Sequence, residues 1–267
     1  MAEHLVTLTT DFGNGSPYVA CMKGVLWSVN PNLNIVDISH SIRPQDIRQG
    51  AYTLEQAVPH FPVGTYHLAV IDPGVGSQRE LLYADISGQH LIAPDNGLVS
   101  WLAERGSVQN LRHLKNEQFW QLPVSSTFHG RDIMASTLAH LTLGARVEDL
   151  GPQTPHYQKL NRPIPKRIRG SLKGEVIAVD SFGNLITNIE RLHLTDIPKT
   201  SVRILVDNHE TTGIFNTYSD VEPHTLIALV GSNQHLEIAV TQENASELLG
   251  VRVGMTVELL WESLGKQ

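Results

Sequence analysis

Asp72 and Arg79 close the two ends of the run Asp72-Pro73-Gly74-Val75-Gly76-Ser77-Gln78-Arg79, which follows the apolar stretch 67–71 and precedes the alternating segment 81–86. Pro73 disfavours the α conformation at Asp72, and the two glycines permit a tight backbone path. A carboxylate and a guanidinium are thereby fixed at the end of a strand. The run reads as strand, turn, strand, and on its own it is equally an ordinary ion pair on a surface hairpin.

Two further positions carry comparable chemistry. His129, in Phe128-His129-Gly130-Arg131-Asp132, stands just before a helical pattern through Ile133, Leu138 and Leu141. The positive potential at a helix N-terminus favours the neutral imidazole, which can hold or deprotonate a water; the plainer alternative is a capping or packing histidine. Asp11, in Asp11-Phe12-Gly13, ends a strand before a helix, where an acidic residue can accept hydrogen bonds from a ribose diol or simply cap a turn. The letters Asp-Phe-Gly match the kinase magnesium triplet, but no glycine-rich loop, strand lysine or catalytic loop can precede so early a position. Gly74-Val75-Gly76 lacks a third glycine and opens a strand, so the dinucleotide fingerprint is weak. No histidine pair has zinc-protease spacing, no EF-hand loop occurs and no serine sits in a nucleophile elbow, so neither a metal nor a cofactor is expected.

The elements that must position these residues alternate through residue 150. Strands are expected at 4–10, 33–38 and 65–71, and helices after Ser16-Pro17, at 45–58, 96–104 and 130–141, with Ser16 as N-cap and Pro17 as first helical residue. Such alternation implies an α/β domain with a largely parallel sheet, whose binding sites lie beyond the carboxyl ends of its strands. Asp11, Asp72 and the turn Pro94-Asp95-Asn96-Gly97 all fall at such ends. Residues 151–170 are rich in Pro, Lys and Arg and read as a linker. Residues 171–267 carry short β-rich runs at 174–179, 185–189, 202–206, 225–230, 235–240 and 256–261, with one helical turn at 245–249, which favours a smaller barrel or sandwich. Here Asp180-Ser181-Phe182-Gly183-Asn184 joins an aromatic face to amides, as recognition of an adenine ring would require, although Asn/Gly hairpins are common. Gly231-Ser232-Asn233 is a second turn of small residues.

Composition narrows the partners. A chain of 267 residues with 41% hydrophobic content can bury a substantial core, and a net charge of -7 without a dense basic tract argues against nucleic acid. No apolar run is long enough to span a bilayer and no signal peptide is apparent, so a cytoplasmic location without membrane contact is expected. The single cysteine, Cys21, excludes an intramolecular disulfide and reads as a small apolar residue on a helix face.

Thr9-Thr10-Asp11-Phe12-Gly13, the Asp72–Arg79 run, Pro94-Asp95-Asn96-Gly97, Phe128-His129-Gly130-Arg131-Asp132, Phe182-Gly183-Asn184 and Leu236-Glu237-Ile238-Ala239 together resemble the adenosine-forming S-adenosyl-L-methionine (SAM) hydrolases, or SAM hydroxide adenosyltransferases, relatives of fluorinase and chlorinase. The resemblance runs in order along nearly the whole chain. It implies an α/β N-terminal domain, a C-terminal β-barrel, and a homotrimer with each site between neighbouring subunits. It further implies a water-activating triad of Asp72, Arg79 and His129, with Asp11 on the ribose. Phe182, Asn184, Asn188, Ser232, Glu237 and Val240 would contribute to the adenosine and methionine pocket. Two departures concern the methionine end: Ser16 replaces an acidic residue common in hydrolase relatives, and Asn233 stands where the halogenases have arginine. Halogenation of the same substrate is an alternative, ranked low because those relatives carry tyrosines in place of Asp72 and His129. A non-catalytic SAM or adenosine sensor and a metal-dependent hydrolase are the others.

Overall fold

The first apolar run forms β1 (Leu5–Thr10), flanked in parallel by β2 (Asn34–Ser39) and β3 (Tyr66–Val70). The structure is a computed structural model that describes residues 4–262. It divides into two units, Met1–Asn161 and Arg162–Gln267.

In the first unit β4 (Leu81–Ile86), β5 (Gln89–Pro94) and β6 (Val108–His113) complete a six-stranded sheet in the order β2-β1-β3-β5-β4-β6. β3 and β5 are parallel, whereas β4 is antiparallel to both β5 and β6, so the sheet is mixed. Period-two alternation sends Leu68 and Val70 to one face with Val6, Leu8, Tyr83 and Ile92, and Ala69 and Ile71 to the other with Leu82, Ala84 and Leu91. α1 (Tyr18–Val29) covers the first face by burying Met22, Val25 and Leu26, one helical stripe at i, i+3 and i+4. α2 (Ile47–Ala57) and α3 (Ser100–Arg105) cover the second through Leu54, Leu102 and Ala103, while a π-turn at Gly130–Ala135 leads into α4 (Ser136–Thr142) on the first. Each fully buried Leu or Ile contributes about 1.5–3 kcal/mol, which holds the two layers on the sheet.

Because β5 lies between β3 and β4, the Asp72–Arg79 run is no hairpin; it joins strands that do not pair. Ser16 is no N-cap either. Its hydroxyl donates to Phe12 O at 3.0 Å, and Pro17 occupies the cap. α2 starts at Ile47, where the Asp46 carboxylate accepts from Gln49 N at 2.9 Å, and α3 starts at Ser100. The stretch 151–161 stays on the first unit: Gln158 N donates to Asp95 Oδ1 at 2.7 Å and Leu160 N to Ser100 Oγ at 3.1 Å.

The second unit is built of antiparallel strands: β7 (Lys166–Ile168), β8 (Ser171–Val179), β9 (Leu185–Glu190), β10 (Arg203–Val206), β11 (His209–Thr212), β12 (Leu226–Val230), β13 (His235–Val240) and β14 (Thr256–Leu260). Their order is β11-β10-β14-β8-β9-β13-β12, with β7 on β8. The two end strands approach each other, since Thr211 Oγ1 donates to Leu226 O at 2.8 Å, and the sheet is thereby nearly closed around Leu172, Val176, Ile204, Leu236, Ile238 and Leu259. α5 (Ala245–Leu249) begins at Asn244, whose side chain accepts from Glu247 N at 3.0 Å.

Candidate active site

The pairing of Thr10 with Val70 aligns the carboxyl ends of β1 and β3, so that Asp11, one residue past β1, and Asp72, two past β3, emerge side by side. α1 leaves β1 over one face of the sheet and α2 leads into β3 over the other, which opens a crevice between these two strands. His129 enters from the π-turn. Gly130 makes that approach possible, since a Cβ there would stand 2.8 Å from Val70 Cγ1. The resulting cleft, about 370 Å³, is lined by Asp11, Phe12, Tyr18, Gln45, Asp72, Val75, Phe128 and His129 among others.

Arg79 organises the acid and the imidazole. Its Nε donates to Asp72 Oδ1 at 2.6 Å, one Nη2 bond reaches Asp72 Oδ2, and the same Nη2 reaches His129 Nδ1 at 3.1 Å. The Asp72 and Arg79 side chains are only 6% and 10% exposed, so this fork is held largely away from water and is stronger than a surface pair. Guanidinium has no lone pair to offer, so Nδ1 must be the accepting nitrogen of His129 and a neutral ring carries its proton on Nε2. Burial lowers the His129 pKa from its ordinary value and the Arg79 charge lowers it further, against weaker opposition from Asp72 and Asp132. Desolvation and the guanidinium thus act in the same direction as the positive potential expected at a helix N-terminus.

Loops around the triad are pinned from several sides. Asn96 Nδ2 donates to Ile71 O at 2.9 Å, so the Pro94–Gly97 turn braces the residue before Asp72. Gly76, at φ +79, lies so close to Ser126 that an added Cβ would be 2.5 Å from its carbonyl oxygen. Asp132 accepts from Ser125 N at 2.8 Å and from Arg131, whose guanidinium also lies 4.9 Å over the Phe128 ring. Asp11 Oδ2 accepts from Gln45 N at 2.7 Å, which leaves Oδ1 for another donor.

In the second unit Phe182 and Asn184 share one turn. Asp180 holds it, accepting from Phe182 N, Asn184 N and Asn184 Nδ2, each at 2.9 Å. Phe182 is 76% exposed at its tip, an open face for stacking, whereas Asn184 is buried. Asn188 is occupied internally, its Oδ1 accepting from Glu175 N at 2.8 Å and its Nδ2 donating to Pro163 O at 3.1 Å. Ser232 is exposed on the β12–β13 turn, and Val240 packs in the barrel core. Glu237 is buried on the outer side of β13, where Tyr218 OH donates to it and Gly231 packs against its carboxylate. Burial raises its pKa, helped by Asp180 and opposed by the Tyr218 bond. Leu185 pairs with Ile238 and Glu190 with His235, so the Phe182 and Ser232 turns flank opposite ends of the β9–β13 pair.

Residues 6–151 match the SAM hydroxide adenosyltransferase N-terminal domain and residues 174–258 the corresponding C-terminal domain. The chain belongs to this family. It is 36% identical over 253 residues, 93% of this chain and 95% of the other, to the (R)-S-adenosyl-L-methionine hydrolase of Salinispora tropica. Identity to the fluorinase of an Actinoplanes species is lower, 25% over 289 residues, covering 95% of this chain and 96% of that one. A solved structure of a conserved protein from Thermotoga maritima superposes with a TM-score of 0.91 at 34% identity, covering 96% of this chain and all of the other.

The site also has residues that the sequence did not single out. Phe12, Tyr18 and Phe128 meet edge to face at 5.4–5.7 Å between ring centres and wall the cleft beside His129. Phe12 and Phe128 each stand in a glycine-bearing motif, whereas Tyr18 follows Pro17 as the first residue of α1. Gln45 acts through its backbone at φ +67, for which no side-chain signal exists. Tyr218 opens a short 3-10 turn, Tyr218–Asp220, and nothing in its spacing points to Glu237. Among the described residues, no three His, Cys, Asp or Glu side chains converge as a metal site, and no helix is long and apolar enough to cross a membrane.

Proposed function

We propose that this family member hydrolyses SAM to adenosine and L-methionine by in-line attack of water on the ribose 5′ carbon. The carrying observation is Arg79 joining Asp72 to His129 in one cleft with Asp11. Asp11 Oδ1 accepts from the ribose hydroxyls. The His129 Nε2–H donates to the attacking oxygen and Asp72 accepts the water proton, because the other His129 nitrogen is already bonded by Arg79. As the C5′–O bond forms, the C5′–S bond breaks and its electron pair returns to sulfur as a neutral thioether. Attacking anion and sulfonium neutralise each other, so a dry, pre-aligned cleft favours the reaction. The leaving group needs no Lewis acid and Arg79 supplies a fixed cation, which supports a metal-independent enzyme without a separate cofactor.

Phe182 stacking on adenine, with Asn184, Ser232 and Glu237 completing the pocket and Asn188 and Val240 supporting it from within the barrel, belongs to the same proposal. So does a cytoplasmic homotrimer in which the Asp72 side of each site and its Asn184 side come from different subunits. Purified protein incubated with SAM should yield adenosine and methionine, without halogenated nucleoside when chloride or fluoride is added. Recovery of bound, uncleaved SAM would favour the sensor reading instead. Mixing inactive Asp72→Ala and Asn184→Ala proteins under proven subunit exchange should restore part of the activity; no recovery would count against the shared site.

A further inference from the structure

We infer that His40 is a positioning residue for the nucleoside-binding turn at the end of β1, acting as a clasp on both sides of Asp11. This rests on the assignment of Asp11 to the ribose. His40 is buried directly after β2 and grips the turn twice. Its Nδ1 lies 2.9 Å from Thr10 Oγ1, and its carbonyl oxygen accepts from Gly13 N at 2.8 Å. Asp11 and Phe12 are the residues between these two grips. Thr10 Oγ1 accepts in turn from Phe12 N at 3.3 Å.

The outer end of the clasp is a carboxylate. His40 Nε2 lies 3.1 Å from Asp37 Oδ1, and the other Asp37 oxygen accepts from Lys23 Nζ at 2.6 Å. Nε2 makes no hydrogen bond of its own, so the contact with Asp37 is one of charge and proximity, and the Thr10 hydroxyl can donate to Nδ1 or accept from it while still accepting from the Phe12 amide. Lys23 lies on α1 and Asp37 on β2, so the chain ties a rigid helix and a strand to the floor of the cleft. A carboxylate, an imidazole and a hydroxyl in series serve here to fix backbone, since none of the three lines the cleft. Asp11 has one oxygen tied by Gln45 N, and the clasp fixes the backbone from which its other oxygen projects.

The test compares His40→Ala, His40→Asn, Thr10→Val, Asp11→Ala and the Asp11→Ala/His40→Ala double variant in the full-length protein. Adenosine binding is read by calorimetry, and KM and kcat are read with SAM. His40→Ala and Thr10→Val should each raise the adenosine Kd and the KM on the order of tenfold, with kcat changed less than about threefold, as expected for loss of uniform binding. His40→Asn, which can offer either a donor or an acceptor near the Nδ1 position, should recover part of the loss. In the Asp11→Ala background His40→Ala should add nothing, because both act on one contact. The clasp is overturned if folded His40→Ala and Thr10→Val keep wild-type Kd and KM, or if the His40 effect is equally large with and without the Asp11 carboxylate. If Asp11→Ala alone leaves adenosine affinity unchanged, the ribose assignment itself is wrong and the clasp falls with it.

Discussion

Gly76 offers a sharp perturbation of the triad because alanine there combines two separable effects. At φ +79 any Cβ is strained, by about 1–2 kcal/mol on the usual left-handed penalty. That Cβ would also stand 2.5 Å from Ser126 O, whereas carbon–oxygen contacts settle at about 3.3–3.6 Å. Relief requires the Asp72–Arg79 run or the segment leading to His129 to move by roughly 1 Å, and a misplacement of that size costs on the order of 100-fold in rate. Gly64 supplies the control, with φ +88 and nothing within 4 Å of its ideal Cβ. Gly64→Ala and Gly76→Ala should therefore both lower Tm by several degrees, about 2–4 °C per kcal/mol for a chain of this size. Only Gly76→Ala should lose kcat, by about 100-fold, measured by adenosine release at saturating SAM. A Gly76→Ala enzyme within about threefold of wild-type kcat, with Gly64→Ala behaving as stated, would refute a triad held by contact between these two loops.

Two pH effects follow from the imidazoles of His129, which is partly buried, and His67, which is fully buried. Because burial and Arg79 hold the His129 pKa below its ordinary value, kcat should stay level down to about pH 6.5 and fall as His129 gains a proton on Nδ1 and loses the Arg79 bond; an acid limb that survives unaltered in His129→Asn would contradict this. His67 is fully buried between Thr7 and Gln89, and desolvation lowers its pKa to about 4. The unfolded state then binds the extra proton first, so stability is intact above the unfolded pKa near 6.5 and declines as pH falls toward 4, by about 3 kcal/mol in all. Urea midpoints at pH 7, 5 and 4 should show that decline, reduced in His67→Gln, and a flat profile in the wild type would disprove the linkage.

The chemistry-bearing residues were legible where they end apolar runs. Asp11 and Asp72 stop β1 and β3, and any parallel arrangement of those two runs brings their carboxylates together. Strand order was not legible, because nothing local in Gln89–Pro94 announces that it inserts between β3 and β4. β6 escaped notice because Gln109, Asn110 and Arg112 interrupt its apolar pattern. The Arg79 fork was visible as residue types but not as geometry, since its direction depends on Gly74 and Gly76. The supporting roles of Gln45 N and the His40 carbonyl are backbone functions, which side-chain patterns do not encode. In the second unit the Phe182–Asn184 turn was readable from its glycine. The inward commitment of Asn188 was not, because it depends on the 162–165 segment lying across β9.

The most direct test of the mechanism is the fate of solvent oxygen. Wild-type protein turning over SAM in 18O-labelled water should place one labelled oxygen in the 5′ hydroxyl of adenosine and leave methionine unlabelled, because the C5′–S bond is the one that breaks. Unlabelled adenosine, or labelled homoserine accompanied by methylthioadenosine, would contradict attack by a triad-bound water on the ribose 5′ carbon.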